Sequence, residues 1–127
     1  MIFRMEGTVM ADIYFTLTGT QYHYGKEFLE VGMRVILEKE PDNEYDKEAI
    51  QVKFEGLGCI GYVANSPRTV VGESYSAGRL YDKINDRAFG KVLYVMPTGV
   101  LCRLSKKSLV TEKLEDIQIQ IQEDINE

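Results

Sequence analysis

The segment EKEPDNEYDKEAIQV, residues 38–52, decides which fold this sequence predicts. Apolar and polar residues alternate on either side of its centre, with Val35 and Leu37 before it and Ile50 and Val52 at its end. A period of two is typical of half-buried β-strands. Between the two runs the residues are polar and include a proline, as in turns. The segment therefore predicts two strands that hold a polar loop between them.

This polar loop, residues 40–48, concentrates groups that can bind a ligand. Within six positions it contains two carboxylates, an amide, an aromatic ring and a cation: Asp42, Asn43, Tyr45, Asp46 and Lys47. Loops held by a rigid scaffold carry binding residues disproportionately often. The simpler interpretation is a surface turn around Pro41, and composition alone favours it, because clusters of Pro, Asp and Asn are most often turns.

Six segments carry strand-like patterns: 12–18, 33–38, 49–54, 59–64, 89–96 and 100–104. The third and fourth are separated by a short glycine-containing turn, so we expect them to pair antiparallel. Ser66 and Pro67 predict the start of a short helix that ends by Gly72. A second helical segment is predicted over Ser76–Ile84 from its i,i+4 apolar pairs. Six short strands with a helical insertion indicate an all-β, small, partly open barrel.

The order of these motifs resembles that of the HIRAN domain, a module of DNA-remodelling helicase-like proteins and of free-standing bacterial proteins. The matching motifs are TGTQY at 18–22, EPDNEYDKEAIQV at 40–52 and GYV at 61–63. The second motif is the most specific, and the resemblance covers roughly residues 13–104. It identifies the chain as a stand-alone bacterial member. The resemblance implies a six-stranded OB-like or SH3-like small barrel.

The resemblance also implies a pocket for the 3′ end of single-stranded DNA. Carried over by motif, Tyr22 and Tyr45 would stack on bases, and Asp46 would accept a hydrogen bond from the terminal 3′-hydroxyl. Asn43 would face a base edge. The remaining implied binding residues are Asp42, Lys47, Tyr62 and Asn65.

Three positions depart from the DNA-binding members of the family. Gln21 and Asn65 stand where those members have basic residues, and Asp42 replaces an asparagine. Each change removes a cation or adds an anion where phosphates would lie. An aspartate near a phosphate is unfavourable by roughly 1 kcal/mol or more when partly desolvated.

Length and hydropathy indicate the class of protein. With 127 residues, one domain with a substantial core is expected. The chain has no apolar run of about 18 residues, the length that indicates a membrane span. The first residues are interrupted by Arg4 and Glu6 and lack a signal-peptide core. We therefore expect a cytoplasmic protein without a membrane partner.

The net charge of −5 is unevenly distributed along the chain. Residues 111–127 contain six acidic side chains and one lysine, whereas residues 1–110 contain fourteen acidic and fourteen basic ones. The linear sequence shows no basic stripe, which is the usual footprint of general duplex binding. Broad duplex affinity is therefore not expected. A pocket for one strand end remains compatible, because stacking and a few hydrogen bonds can support it.

The sequence contains few of the groups that an enzyme needs. His23 is the only histidine, and the tyrosines on both sides of it favour a loop or edge position over a general base. Cys59 and Cys102 lie in predicted strands without CxxC spacing, so we expect buried free thiols. One histidine and two isolated cysteines do not match a zinc site, and no cofactor is predicted.

A small metal-dependent nuclease is the enzymatic alternative. It would need carboxylates such as Asp42, Asp46 and Glu48 to hold Mg²⁺. Asp46 and Glu48 also flank the start of a strand, where solvating the strand end explains them more simply. The sequence thus predicts a non-enzymatic module for single-stranded DNA ends.

Three regions are expected: a disordered leader over 1–11, the barrel domain over 12–108 and an acidic tail over 109–127. The tail run IQIQIQ, residues 117–122, alternates as a strand does, although its isoleucines also fit helical spacing. Either form leaves an apolar stripe that needs a partner, on the same molecule or in a homodimer. The competing function is accordingly a protein-interaction or self-associating scaffold domain that has lost DNA binding.

Overall fold

The computed structural model describes residues 12–110. Six strands in this region form a closed antiparallel barrel, in the order β1-β4-β3-β2-β5-β6, and β6 pairs back with β1. The strands are β1 (Tyr14–Thr18), β2 (Arg34–Lys39), β3 (Ile50–Phe54), β4 (Gly58–Val63), β5 (Arg87–Met96) and β6 (Gly99–Leu104). One α-helix, α1 (Ala77–Tyr81), lies between β4 and β5 in the described region, and 3₁₀ turns cover Thr20–Tyr22 and Lys106–Ser108.

The predicted fold class is confirmed, because the molecule is a six-stranded β-barrel with a short helical insertion. Each strand begins and ends within two residues of its predicted bounds. The antiparallel pairing of β3 with β4 is also confirmed. The barrel is closed rather than partly open, since β1 bonds to both β4 and β6.

The helix predicted after Ser66 is wrong, since residues 66–70 form turns. Its first turn does begin as expected, with the N–H groups of Thr69 and Val70 both donating to the Ser66 carbonyl at 2.9 Å. The N–H of Val71 then donates to the Thr16 hydroxyl at 3.0 Å, which draws the chain onto β1. A tertiary hydrogen bond therefore replaces the next helical one.

Inward-facing apolar side chains of the strands fill the barrel. Six of them, from β1, β2 and β3, have no exposed surface: Phe15, Leu17, Val35, Leu37, Ile50 and Val52. Burial of each such side chain contributes about 1.5–3 kcal/mol. At Gly61 of β4, an added Cβ atom would lie 2.5 Å from the Thr18 carbonyl oxygen of β1. Glycine there lets β4 pack against β1.

The parts of the chain outside the strand framework are only partly described. The predicted leader, residues 1–11, and the tail run at 117–122 lie outside the described residues. Leu109 and Val110 pack on the barrel domain, because Leu109 is buried and bridges to Ile84, and the Val110 N–H donates to the Lys83 carbonyl at 2.7 Å.

Both cysteines are free, with Cys102 buried and Cys59 only partly so. No helix of the described region has the length and apolar character to cross a membrane.

Candidate functional site

The polar loop is held together by the side chain of Asn43. Its Oδ1 atom accepts hydrogen bonds from the N–H groups of Tyr45 at 2.9 Å and Asp46 at 3.0 Å. Its Nδ2 atom donates to Oε1 of Glu40 at 3.0 Å. Short amides of this kind stabilise turns by bonding to backbone groups two residues on, and here also three. All three bonds are internal to the loop, and Tyr45 is positioned by one of them.

Glu40 connects the polar loop to the barrel wall. The Tyr62 hydroxyl on β4 donates to both carboxylate oxygens of Glu40, at 2.9 Å and 3.1 Å. Burial and the Glu40 carboxylate together raise the pKa of Tyr62 to about 12. The tyrosine therefore stays protonated and donating at neutral pH. The sequence patterns alone do not single out Glu40, although it opens the EPDNEYD motif.

Asp46 connects the other end of the loop to the segment after β4. Its Oδ1 atom accepts from the N–H of Glu48 at 2.9 Å, and its Oδ2 atom accepts from Nδ2 of Asn65 at 2.9 Å. Oδ1 of Asn65 accepts in turn from the N–H of Gly78, at the start of α1, at 2.8 Å. Because each carboxylate oxygen has two lone pairs, Asp46 keeps acceptor capacity for a ligand.

Two of the expected stacking tyrosines are almost fully exposed. Tyr45 is 93% exposed and Tyr22 is 81% exposed. Tyr22 ends a 3₁₀ turn that follows Gly19, whose φ of 76° lies in the left-handed region that glycine tolerates best. Free ring faces such as these can stack on flat ligands.

Tyr62 joins the Tyr22 segment and the polar loop into one surface. The 3₁₀ turn that ends at Tyr22 packs against β4. The ring centroid of His23, the next residue, lies 6.4 Å from that of Tyr62, whose hydroxyl bonds to Glu40 in the loop. Three stretches distant in sequence thus meet around β4.

A family model decides the relationship of this chain to known proteins. The model of the HIRAN domain matches residues 10–95. The chain belongs to the HIRAN domain family. Among curated proteins, none matches it.

Two solved structures resemble this HIRAN domain. The crystal structure of the HIRAN domain of human HLTF aligns with a TM-score of 0.50 and 18% identity, over 74% of each chain. At that identity the similarity establishes the barrel fold alone. A crystal structure of a protein from Lactobacillus plantarum is 27% identical, with a TM-score of 0.46, and covers 75% of this chain and 97% of the other.

Not every expected binding residue of this HIRAN domain joins the hydrogen-bonded network. Asp42 and Lys47 are exposed on the polar loop. In the part of the chain that the structure describes, neither takes part in an ion pair. The loop as a whole is acidic, with five carboxylates against one lysine.

The carboxylates of the loop do not form a recognisable metal site. Within residues 12–110, no three His, Cys, Asp or Glu side chains are grouped so as to hold a metal ion. Of the residues that a metal-dependent nuclease would need, Asp46 accepts a hydrogen bond from the backbone N–H of Glu48, which does not involve the Glu48 carboxylate.

Proposed function

We propose that this domain is a non-enzymatic module that binds the end of a single nucleic-acid strand, preferentially DNA with a free 3′-hydroxyl. Membership of the HIRAN family supports a nucleic-acid-binding module. The single observation that supports the finer proposal is the exposure of two tyrosine rings, Tyr45 in the polar loop next to Asp46 and Tyr22 on the 3₁₀ turn that packs against β4.

The exposed rings supply the attraction for unpaired bases. Stacking of one base on an aromatic side chain is worth about 1–3 kcal/mol and is tolerant of sequence. Tyr45 and Tyr22 bury little surface within the domain, so a base can cover their faces without displacing the core. A duplex offers no free base faces except at its ends, which favours single strands as ligands.

The acidic polar loop accounts for a preference for a hydroxyl end over a phosphate end. A 3′-hydroxyl can donate a hydrogen bond to Asp46, which has free lone pairs. A terminal phosphate cannot donate in its ionised form, and it brings further negative charge to a loop with five carboxylates. One such pair at about 4 Å costs roughly 1 kcal/mol even in water. We therefore expect at least about a fivefold preference for the hydroxyl end.

Within the site, the roles of the expected residues divide into contact and support. Tyr22, Tyr45 and Asp46 would touch the ligand, and Asn43 would hold the loop that presents Tyr45 rather than face a base edge. The second group comprises Tyr62 and Asn65, which anchor the loop to β4 and α1. Asp42 and Lys47 would lie at the exposed margin of the site.

A fluorescence-anisotropy titration with a short oligothymidine tests the proposal. The strand with a free 3′-hydroxyl should bind more tightly than the same strand with a 3′-phosphate, and Tyr45→Ala should weaken binding about 5- to 150-fold, the loss of one stack. Tyr94→Ala is the matched control, because Tyr94 is a 61% exposed tyrosine on β5, away from the loop. Equal binding of the two strand ends would refute end recognition, and an unfolded Tyr45→Ala protein would make that ring structural.

The competing function, a self-associating scaffold, depends on the tail. Residues 111–127 lie outside the described region, so dimerisation through the tail stays a prediction. A concentration-independent monomer mass in light scattering of the full chain would remove it.

A further inference from the structure

Three cationic side chains form a row across three neighbouring strands. Arg34 on β2 lies directly opposite Lys91 on β5, and Lys91 lies directly opposite Arg103 on β6. All three are exposed, and the residue that follows each of them along its strand is buried. The alternation of a strand therefore points the three cations to the outside of the barrel.

This row is unfavourable for the isolated domain. Like charges directly opposite each other on adjacent strands destabilise a sheet. Among the described residues, the ion pairs of the structure include none of Arg34, Lys91 and Arg103. The guanidinium group of Arg34 instead lies over the ring of Phe89, 4.3 Å from its centroid. An anionic ligand would relieve the repulsion.

The row lies along a groove of about 510 Å³ on the outer face of the barrel. Two further lysines, Lys106 and Lys107, line it from the 3₁₀ turn that follows β6. The one carboxylate that lines the groove belongs to Asp12. It forms an ion pair with Lys106, with 3.3 Å between Asp12 Oδ1 and Lys106 Nζ. Five cations thus face one already paired acid, in a chain whose net charge is negative.

We propose that this groove binds the sugar-phosphate backbone of a nucleic-acid strand, as a second site separate from the polar loop. Three cations on adjacent strands, about 4.8 Å apart, span roughly 10 Å. Phosphates along one strand of DNA recur about every 3.4 Å of helix axis, so about three fall within that span. Arginine binds phosphate oxygens through two parallel N–H groups, and lysine binds them as a point charge.

The groove and the polar loop lie at opposite ends of β2. Arg34 begins this strand, and Lys39 ends it just before the loop. Five steps of about 3.3 Å separate the two ends by roughly 16 Å. The groove therefore does not depend on end recognition, and the two sites can be tested with different ligands.

The test uses a twenty-nucleotide oligothymidine whose 3′ end carries a phosphate, so that the polar loop contributes little. Its affinity is measured by anisotropy between about 50 and 200 mM salt, where phosphate contacts weaken strongly. Arg34→Gln, Lys91→Gln and Arg103→Gln together should reduce the slope of log K against log salt by about 2, at about 0.7 per phosphate of a single strand. Between 50 and 200 mM salt, the wild type should therefore lose about 16 times more affinity than the variant does.

A matched variant controls for the overall loss of charge. Lys53→Gln, Lys83→Gln and Arg87→Gln remove three cations that lie outside the groove, so the salt slope should stay that of the wild type. The single variant Lys91→Gln, with an expected slope change of about 0.7, serves if the triple variant does not fold.

Two results would overturn the proposal. One is an unchanged salt slope in both groove variants. The other is polyglutamate binding as tightly as the oligothymidine with the same loss in the groove variant, which would make the ligand an acidic polypeptide. A four-nucleotide strand with a free 3′-hydroxyl reports on the polar loop separately, and the groove variants should keep its preference over the phosphate end.

Discussion

Replacing Asn43 with alanine separates a residue that holds the polar loop from one that contacts a base. The substitution removes three hydrogen bonds, two accepted from the N–H groups of Tyr45 and Asp46 and one donated to Glu40. Each is worth about 0.5–1.5 kcal/mol net, and partial exposure of the loop favours the lower half of that range. We therefore expect Asn43→Ala to lower the free energy of unfolding by roughly 1.5–3 kcal/mol.

Urea denaturation followed by circular dichroism measures this loss directly. Asn85→Ala is the control, because Asn85 is exposed, and a surface change of that kind typically stays within about 0.5 kcal/mol. Oligothymidine binding is measured on the same samples at a urea concentration where both proteins remain folded. Asn43→Ala should weaken binding as well, because Tyr45 loses the hydrogen bond that positions its backbone.

Tyr45→Ala provides the comparison for Asn43→Ala. That ring is 93% exposed, so its removal should reduce binding while leaving the unfolding free energy nearly unchanged. If Asn43→Ala instead behaves like Tyr45→Ala, with binding lost and stability kept, Asn43 contacts the ligand and the loop does not need its hydrogen bonds. That result would refute the assignment of Asn43 to support.

Two further predictions concern the anchors of the loop. Because the pKa of Tyr62 is raised to about 12, folding favours its neutral form. The stability that this contributes is fully present below the unfolded pKa of about 10, and it is lost as the pH rises towards 12. An absorbance titration of tyrosine ionisation should therefore show a late step that Tyr62→Phe abolishes, and a profile identical in both proteins would contradict the anchor. Asn65→Lys introduces a basic residue but removes the hydrogen bonds to Asp46 and from the Gly78 N–H. It should strengthen oligothymidine binding and lower the melting temperature. Tighter binding with a higher melting temperature, or weaker binding with a lower one, would count against this role for Asn65.

Local pattern in the sequence was sufficient for the six strands, but not for the closure of the barrel. The period of two in segments such as 33–38 and 49–54 reports which side of a strand is buried, and this property depends on neighbours along the chain. The helix predicted after Ser66 failed because a distant hydroxyl, that of Thr16, captures the N–H of Val71. Local propensity contains no information about such a partner.

The candidate site was only partly predictable for the same reason. Motif resemblance selected Tyr45 and Asp46, but the role of Glu40 appeared only when β4 brought the Tyr62 hydroxyl against it. The motifs selected both Tyr22 and Tyr62, but only the structure shows that Tyr22 is exposed whereas Tyr62, on β4, is partly buried.

By itself, the sequence determined an all-β chain with six strands and a polar loop rich in binding groups. The cation row was decided by the tertiary structure alone. Arg34, Lys91 and Arg103 are far apart in a region with equal numbers of acidic and basic residues, so no basic stripe is visible along the chain. Strand register places them opposite one another across β2, β5 and β6. Register depends on how the whole sheet closes on itself, and electrostatic fields depend on distances in space rather than on separation in sequence.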